Sequence, residues 1–155
     1  YFEAFILSKL RYGLSSIWLV TAQRRRLDGF VARCLRRILH VPSAYLSRIS
    51  NKTVFERACV KPFSSQLLKH QLVLLRKAAC TPDKHPMRID TFADASLIPQ
   101  IGRFVRRVGR PKQEWTNQLM CLGRELMGNL KFQALLSDQS KGADARWKNE
   151  VDKLL

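Results

Sequence analysis

A twenty-residue segment, QRRRLDGFVARCLRRILHVP at positions 23–42, separates arginines from apolar side chains with the period of an α-helix. At about 100° per residue, one face of this helix is apolar and the other is basic. The predicted apolar face consists of Leu27, Phe30, Val31, Cys34, Leu35, Ile38 and Leu39. The predicted basic face consists of Arg25, Arg26, Arg33, Arg36 and Arg37. Pro42 ends the helix. Other elements have to cover its apolar face, so the segment predicts a packed helical protein.

The same helical period recurs along most of the chain. It runs from Phe2 to Trp18, through a Leu-rich segment around Leu72, and again from Trp115 onward. Only residues 81–100, with three prolines, lack it. We therefore predict an all-α fold, an irregular bundle of about six or seven helices in two loosely separated halves. The predicted boundaries are 1–80 for a first helical half, 81–100 for a loop or linker, and 101–155 for a second helical half.

Two residues of the first periodic segment receive structural roles. Gly13 interrupts its apolar stripe, and glycine there costs about 1 kcal/mol relative to alanine unless a bend or close packing requires it. Gly13 is therefore predicted to mark a kink or a tight contact. Trp18 is predicted to belong to the buried stripe.

The chain carries 28 Lys and Arg against 12 Asp and Glu, a formal net charge of +16. Residues 1–82 hold most of the excess, with fifteen basic residues, three acidic ones and a balance of +12. Such a field attracts polyanions, nucleic acid first and an anionic membrane surface second. Asp28 is the only acid on the Arg-rich helix, so ion pairing along the helix cannot neutralise it. We interpret its basic face as a phosphate-binding surface; the simpler alternative is a solvated cationic surface.

A second basic cluster lies further along the chain. It consists of Arg103, Arg106, Arg107, Arg110 and Lys112. In the string VGRPKQEWTNQL, Gly109 permits a turn, and Pro111 suits the first turn of a helix, where its missing N–H is no loss. Trp115 then begins an apolar stripe and is predicted to be a core anchor. The basic side chains before it are left pointing outward, available to nucleic acid.

Several other functions lack their residue patterns here. No apolar run reaches the roughly eighteen residues of a membrane span, and the N-terminus has no signal-peptide pattern. An intracellular location, nuclear or cytoplasmic, is expected. The four cysteines are widely spaced and lack histidines at metal-ligand spacing. No nucleophile lies beside a base and no glycine-rich phosphate loop is present. We therefore predict no catalytic residue, no metal site and no cofactor in this chain.

The order of the short motifs is itself informative. The chain contains, in sequence, RYG, Trp18, RRLDGFVARCLRRIL, ISNKTVFERA, a Leu-rich helix, RRVGRPKQEW and DARWKNEV. This series, which spans nearly the whole chain, resembles the segment that follows the polymerase palm in non-LTR (LINE-type) retrotransposon reverse transcriptases. In that family a Leu-Tyr-Gly step and a Trp open the thumb, and an Arg-rich helix follows. Further on, a Gly-Arg-Pro step precedes a Trp.

The resemblance implies the thumb and downstream region of an RNA-directed DNA polymerase. The Arg-rich helix would contact template and primer strands, and residues 103–112 would hold RNA or target DNA, all through sequence-blind phosphate contacts. The upstream palm and fingers would be partners, and the parent polymerase would use Mg. This chain has no adjacent Asp pair, so we expect that it does not polymerise alone. Two departures, Arg76-Lys77 in place of a Gly-His step and a missing Cys/His knuckle, suggest a divergent or decayed copy.

Two other interpretations of the same residues stay open. A freestanding nucleic-acid-binding helical module derived from such an element would present the same basic faces but fold and bind alone. A membrane-surface helix over residues 27–39 would place the arginines on anionic lipid. Other apolar helices are available to cover its apolar face, so we expect RNA or DNA, and no membrane, as the partner. The chain begins and ends inside helical patterns, and we expect it to be a piece of a longer protein.

Overall fold

The computed structural model describes residues 2–93, 97–100 and 114–155. In this part of the chain a π-helical segment, Phe2–Leu7, is followed by nine α-helices. They are α1 Ser8–Leu14, α2 Thr21–Ile38, α3 Ala44–Ser47, α4 Asn51–Arg57, α5 Phe63–Cys80, α6 Pro86–Thr91, α7 Trp115–Met127, α8 Asn129–Ser137 and α9 Ala143–Leu154. The described residues form no strand, and their one β-type pairing is an isolated bridge between Phe92 and Pro99. The predicted all-α class is confirmed. The helices outnumber the expected six or seven because α3 and α6 are too short for hydrophobic periodicity to register.

The chain divides into two compact units. Unit 1 comprises residues 1–12 and 19–68, and unit 2 comprises residues 13–18 and 69–155. This division differs from the predicted boundaries, because it falls inside α5 instead of after it. The described residues of the predicted linker, 81–100, belong to unit 2, where they form α6 and bury Phe92 in the core.

Unit 1 is organised by the inner face of α2, which packs against α4. Its buried apolar side chains are Leu7, Val31, Ala32, Leu35, Val54, Phe55, Phe63 and Leu67. Asp28, the one acid of α2, lies at the start of α5. Its carboxylate accepts hydrogen bonds from the Ser64 backbone N–H at 2.9 Å and from Ser64 Oγ at 2.6 Å. Because this carboxylate caps a donor in the first turn of α5, it fixes the rotation of α2 about its own axis.

Unit 2 has a larger core with an arginine inside it. The core cluster comprises Leu72, Leu75, Ala78, Ala79, Phe92, Leu119, Met120, Phe132, Leu136, Trp147 and Val151. The rings of Phe132 and Trp147 lie 5.7 Å apart, and the buried Arg76 guanidinium lies 5.7 Å from the Trp147 ring. Arg76 also donates to Asp144 Oδ1 at 2.8 Å and to the Asp138 carbonyl at 2.6 Å. These bonds fasten α5 to the end of α8 and to the first turn of α9.

The residues predicted to have structural roles have different outcomes. A Cβ on Gly13 would meet no atom within 4 Å among the described residues, so the prediction of a tight contact there is wrong. The change of helix type lies between Leu7 and Ser8, and α1 ends one residue after Gly13. Trp18 and Trp115 are partly buried and pack against the core of unit 2. Pro111 lies outside the described residues.

Candidate nucleic-acid interface

Helix α2 presents most of its arginines to solvent. Arg25, Arg26, Arg33 and Arg37 are exposed, as predicted from the helical period. Arg26, Arg33 and Arg37 occupy positions i, i+7 and i+11, which fall within about 40° of arc on one side of the helix. We call these three residues the arginine stripe. Arg25 lies about 100° away around the helix axis and is not part of it.

The arginine stripe is about 16 Å long between its end residues, from the helical rise per residue. None of its three guanidinium groups has a hydrogen-bond or ion-pair partner within the part of the chain that the structure describes. The one acid of the helix, Asp28, is already engaged by Ser64. Three like charges are therefore held on one line of α2, with no counterion among the described residues. Such an arrangement repels itself and favours an anion placed along it.

Arg36 does not belong to this surface, and its prediction as a phosphate ligand on the exposed face is wrong. Its side chain is only 5% exposed. Its guanidinium donates to the Ile49 carbonyl at 2.6 Å, to the Pro42 carbonyl at 3.1 Å and to Ser47 Oγ and Asn51 Oδ1 at 3.3 Å. Through these four acceptors Arg36 holds residues 42–51 against the end of α2.

Arg24 is likewise set apart from the exposed arginines. Its Nε donates to the Leu19 carbonyl at 2.9 Å. Partial burial lowers the pKa of its guanidinium, which still leaves the group charged at neutral pH. Arg24 therefore helps to fix the start of α2, and the exposed charge of the helix comes from the residues after it.

The inner face of α2 is rotated relative to the predicted apolar face. Val31, Ala32 and Leu35 are buried with Arg36, while Phe30 and Ile38, both assigned to the apolar face, are 40% and 54% exposed. The rotation follows from the polar contacts, because Asp28 and Arg36 must both face inward to reach Ser64 and the segment 42–51. Phe30 is four residues after Arg26 and so shares the side of the arginine stripe, and the rotation leaves its side chain exposed.

The second basic cluster lies outside the described residues. Its members are Arg103, Arg106, Arg107, Arg110 and Lys112. Their assignment to nucleic-acid binding stays a prediction from the sequence.

Two other features, a metal-ligand cluster and a membrane-spanning helix, are absent from the described residues. Across residues 2–93, 97–100 and 114–155, no three His, Cys, Asp or Glu side chains come together in a way that would hold a metal ion. Within those same ranges, no helix has both the length and the apolar character needed to cross a bilayer.

Fold and surface together define a class: an all-α protein with an exposed line of arginines on one helix that no acidic side chain of the described residues neutralises. Comparison with protein-family models, curated proteins and solved structures gives no match.

Proposed function

We propose that this chain is a non-catalytic, nucleic-acid-binding part of a non-LTR retrotransposon reverse transcriptase, and that the arginine stripe holds the phosphate backbone of its RNA or DNA. The observation that supports binding is the alignment of Arg26, Arg33 and Arg37, exposed and without a counterion in the described residues. The order of motifs along the sequence is what supports the polymerase family.

Phosphate is the anion that this geometry suits best. Guanidinium groups match phosphate oxygens with paired N–H donors and stay charged at any physiological pH. A polyanionic strand offers one such group after another, and the release of its condensed counterions drives binding. Contacts of this kind position a strand without reading its bases. The stripe is therefore a sequence-independent strand holder.

The direct test is charge reversal of the stripe with a matched control. The test variant carries Arg26→Glu, Arg33→Glu and Arg37→Glu. The control changes three exposed basic residues of unit 2 in the same way, Lys77, Arg124 and Lys148. The two variants have the same net charge, so any difference between them reports the position of the charge and not its amount.

Fluorescence anisotropy with labelled single-stranded RNA measures the effect. We expect the stripe variant to lose binding at a salt concentration where the wild type is saturated, with unchanged helicity by circular dichroism. The control should keep most of its affinity. Equal losses in the two variants would mean that binding follows net charge alone, and the stripe would have no special role.

The polymerase assignment has its own test. An RNA template with an annealed DNA primer should bind more tightly than a DNA duplex of the same length with the same single-stranded overhang. Equal affinity for both would leave a general nucleic-acid binder, in keeping with the freestanding module.

A further inference from the structure

One apolar ring interrupts the arginine stripe. Phe30 lies between Arg26 and Arg33, four residues after the first and three before the second, so it shares their side of α2. Its Cα is about 6 Å along the axis from Arg26 and about 4.5 Å from Arg33. The side chain is 40% exposed, whereas Val31 beside it is 1% exposed. The surface of α2 is thus a line of charge with an aromatic group inside it.

We infer that Phe30 stacks on an unpaired base, and that the arginine stripe therefore takes single-stranded RNA or DNA. This assignment rests on the proposed function and specifies its substrate. Base stacking on an aromatic side chain is tolerant of sequence, because every base has a π-face. Guanidinium groups on both sides of the ring hold the phosphates that flank the stacked nucleotide.

The dimensions of the stripe fit a short strand. Its length of about 16 Å corresponds to the rise of at most about five nucleotides at about 3.4 Å each, and to fewer where the strand is unstacked to place a base on Phe30. A strand laid along α2 therefore reaches all three arginines while one of its bases meets the ring. A continuous duplex presents phosphates to the same arginines, but its base faces are covered by their neighbours. On a duplex, Phe30 gains no stacking partner.

A lipid surface fits the same residues less well. A helix that lies in a membrane interface buries a broad apolar face in the lipid and keeps its basic residues on the polar side. On α2 the broad apolar face is occupied, since Val31 and Leu35 are in the core of unit 1. Phe30 is flanked by arginines on its own side of the helix and offers a single ring.

The experiment compares Phe30→Ala and Phe30→Trp with Ile38→Ala in the whole chain. Ile38 is the control because it is an apolar residue of the same helix with 54% exposure that lies off the stripe. Affinities for single-stranded RNA, single-stranded DNA and a blunt duplex are measured by anisotropy. A strand containing 2-aminopurine reports stacking through quenching of its fluorescence. Circular dichroism and a thermal scan verify folding.

For Phe30→Ala we expect a loss of about fivefold to a hundredfold on single strands, less than twofold on the duplex, and loss of the quenching. Phe30→Trp should restore both affinity and quenching, and Ile38→Ala should change neither. Equal losses on strand and duplex, or unchanged affinity for single strands, would overturn the stacking role.

The outcomes separate the two proposals. If reversal of the stripe abolishes binding while Phe30→Ala leaves single-strand affinity intact, the stacking inference fails and the phosphate-binding function stands. If stripe reversal and the unit 2 control behave alike, the assignment of phosphate binding to the stripe fails, and the stacking inference fails with it. Phe30-dependent sedimentation with phosphatidylserine vesicles, together with unchanged nucleic-acid affinity, would overturn the inference in favour of a lipid ligand.

Discussion

Arg33 and Arg36 are three residues apart on one helix, and the structure gives them opposite roles. Arg33 is exposed and without a partner in the described residues, whereas Arg36 is buried and donates to four acceptors in the segment that follows α2. Replacing each with methionine keeps a long side chain but removes the charge and the donors. We expect Arg36→Met to lower stability and Arg33→Met to lower nucleic-acid affinity.

The size of the stability loss follows from the bonds of Arg36. The contact with the Ile49 carbonyl at 2.6 Å and that with the Pro42 carbonyl at 3.1 Å are the shorter two. A hydrogen bond to a charged group contributes about 1.5–3 kcal/mol. Pro42 is exposed and Ile49 is partly exposed. In the Arg36→Met variant water therefore reaches their carbonyls and replaces part of each lost hydrogen bond. We expect a net loss of about 2–4 kcal/mol for Arg36→Met, against less than about 0.5 kcal/mol for Arg33→Met.

Urea denaturation followed by circular dichroism measures the first effect, and RNA anisotropy measures the second. For Arg36→Met the denaturation midpoint should fall with an unchanged slope, while RNA affinity under native conditions stays near that of the wild type. For Arg33→Met the midpoint should stay and the affinity fall. An Arg36→Met midpoint equal to that of the wild type would contradict the anchoring role of Arg36, and so would a loss of RNA affinity in Arg36→Met as large as that in Arg33→Met.

Three further substitutions test the space around two glycines and the charge of one aspartate. In Gly123→Ala the new Cβ would lie 2.0 Å from Cε2 of the buried Phe132, so we expect a loss of about 1–3 kcal/mol in a denaturation experiment; a gain in stability would contradict that packing. Gly13→Ala has open space around the new methyl group and should instead stabilise the chain by up to about 1 kcal/mol, which a lowered melting temperature would disprove. Hydrogen bonds from Ser140 lower the pKa of Asp138 below its ordinary value of 3.8. The stability that the ionised Asp138 carboxylate contributes is therefore fully present above that pH and is lost as the pH falls further. Asp138→Asn should flatten the acid side of a stability–pH profile, and an unchanged profile would remove this carboxylate from the account.

The class of fold and part of the surface could be predicted from the sequence. The period of apolar residues is a local property, and it identifies the long helices and the outward position of Arg26, Arg33 and Arg37. The short helices α3 and α6 fall below the length at which periodicity can be detected. Their presence depends on contacts made elsewhere, such as those of Arg36 with residues 42–51.

The misassigned residues have a common physical cause. A helical period assigns faces by side-chain chemistry, and it places every arginine outside and every aromatic inside. Arg36 and Phe30 reverse that rule because α2 is oriented by a capping contact from Asp28 to Ser64, 36 residues away. Gly123 is required by the ring of Phe132, and Gly13 has no such neighbour. Contacts of this kind join distant parts of the chain and leave no periodic trace.

The most direct test of the arginine stripe is the salt dependence of binding. Association of the wild type and of the stripe variant with single-stranded RNA is measured between about 50 and 200 mM salt, and the logarithm of the binding constant is plotted against that of the salt concentration. On a single strand each phosphate contact contributes about 0.7 to the slope. The three contacts of the stripe should therefore make the wild-type slope steeper than that of the stripe variant by about 2. Parallel lines for the two proteins would contradict the account, because the stripe would then contact no phosphate.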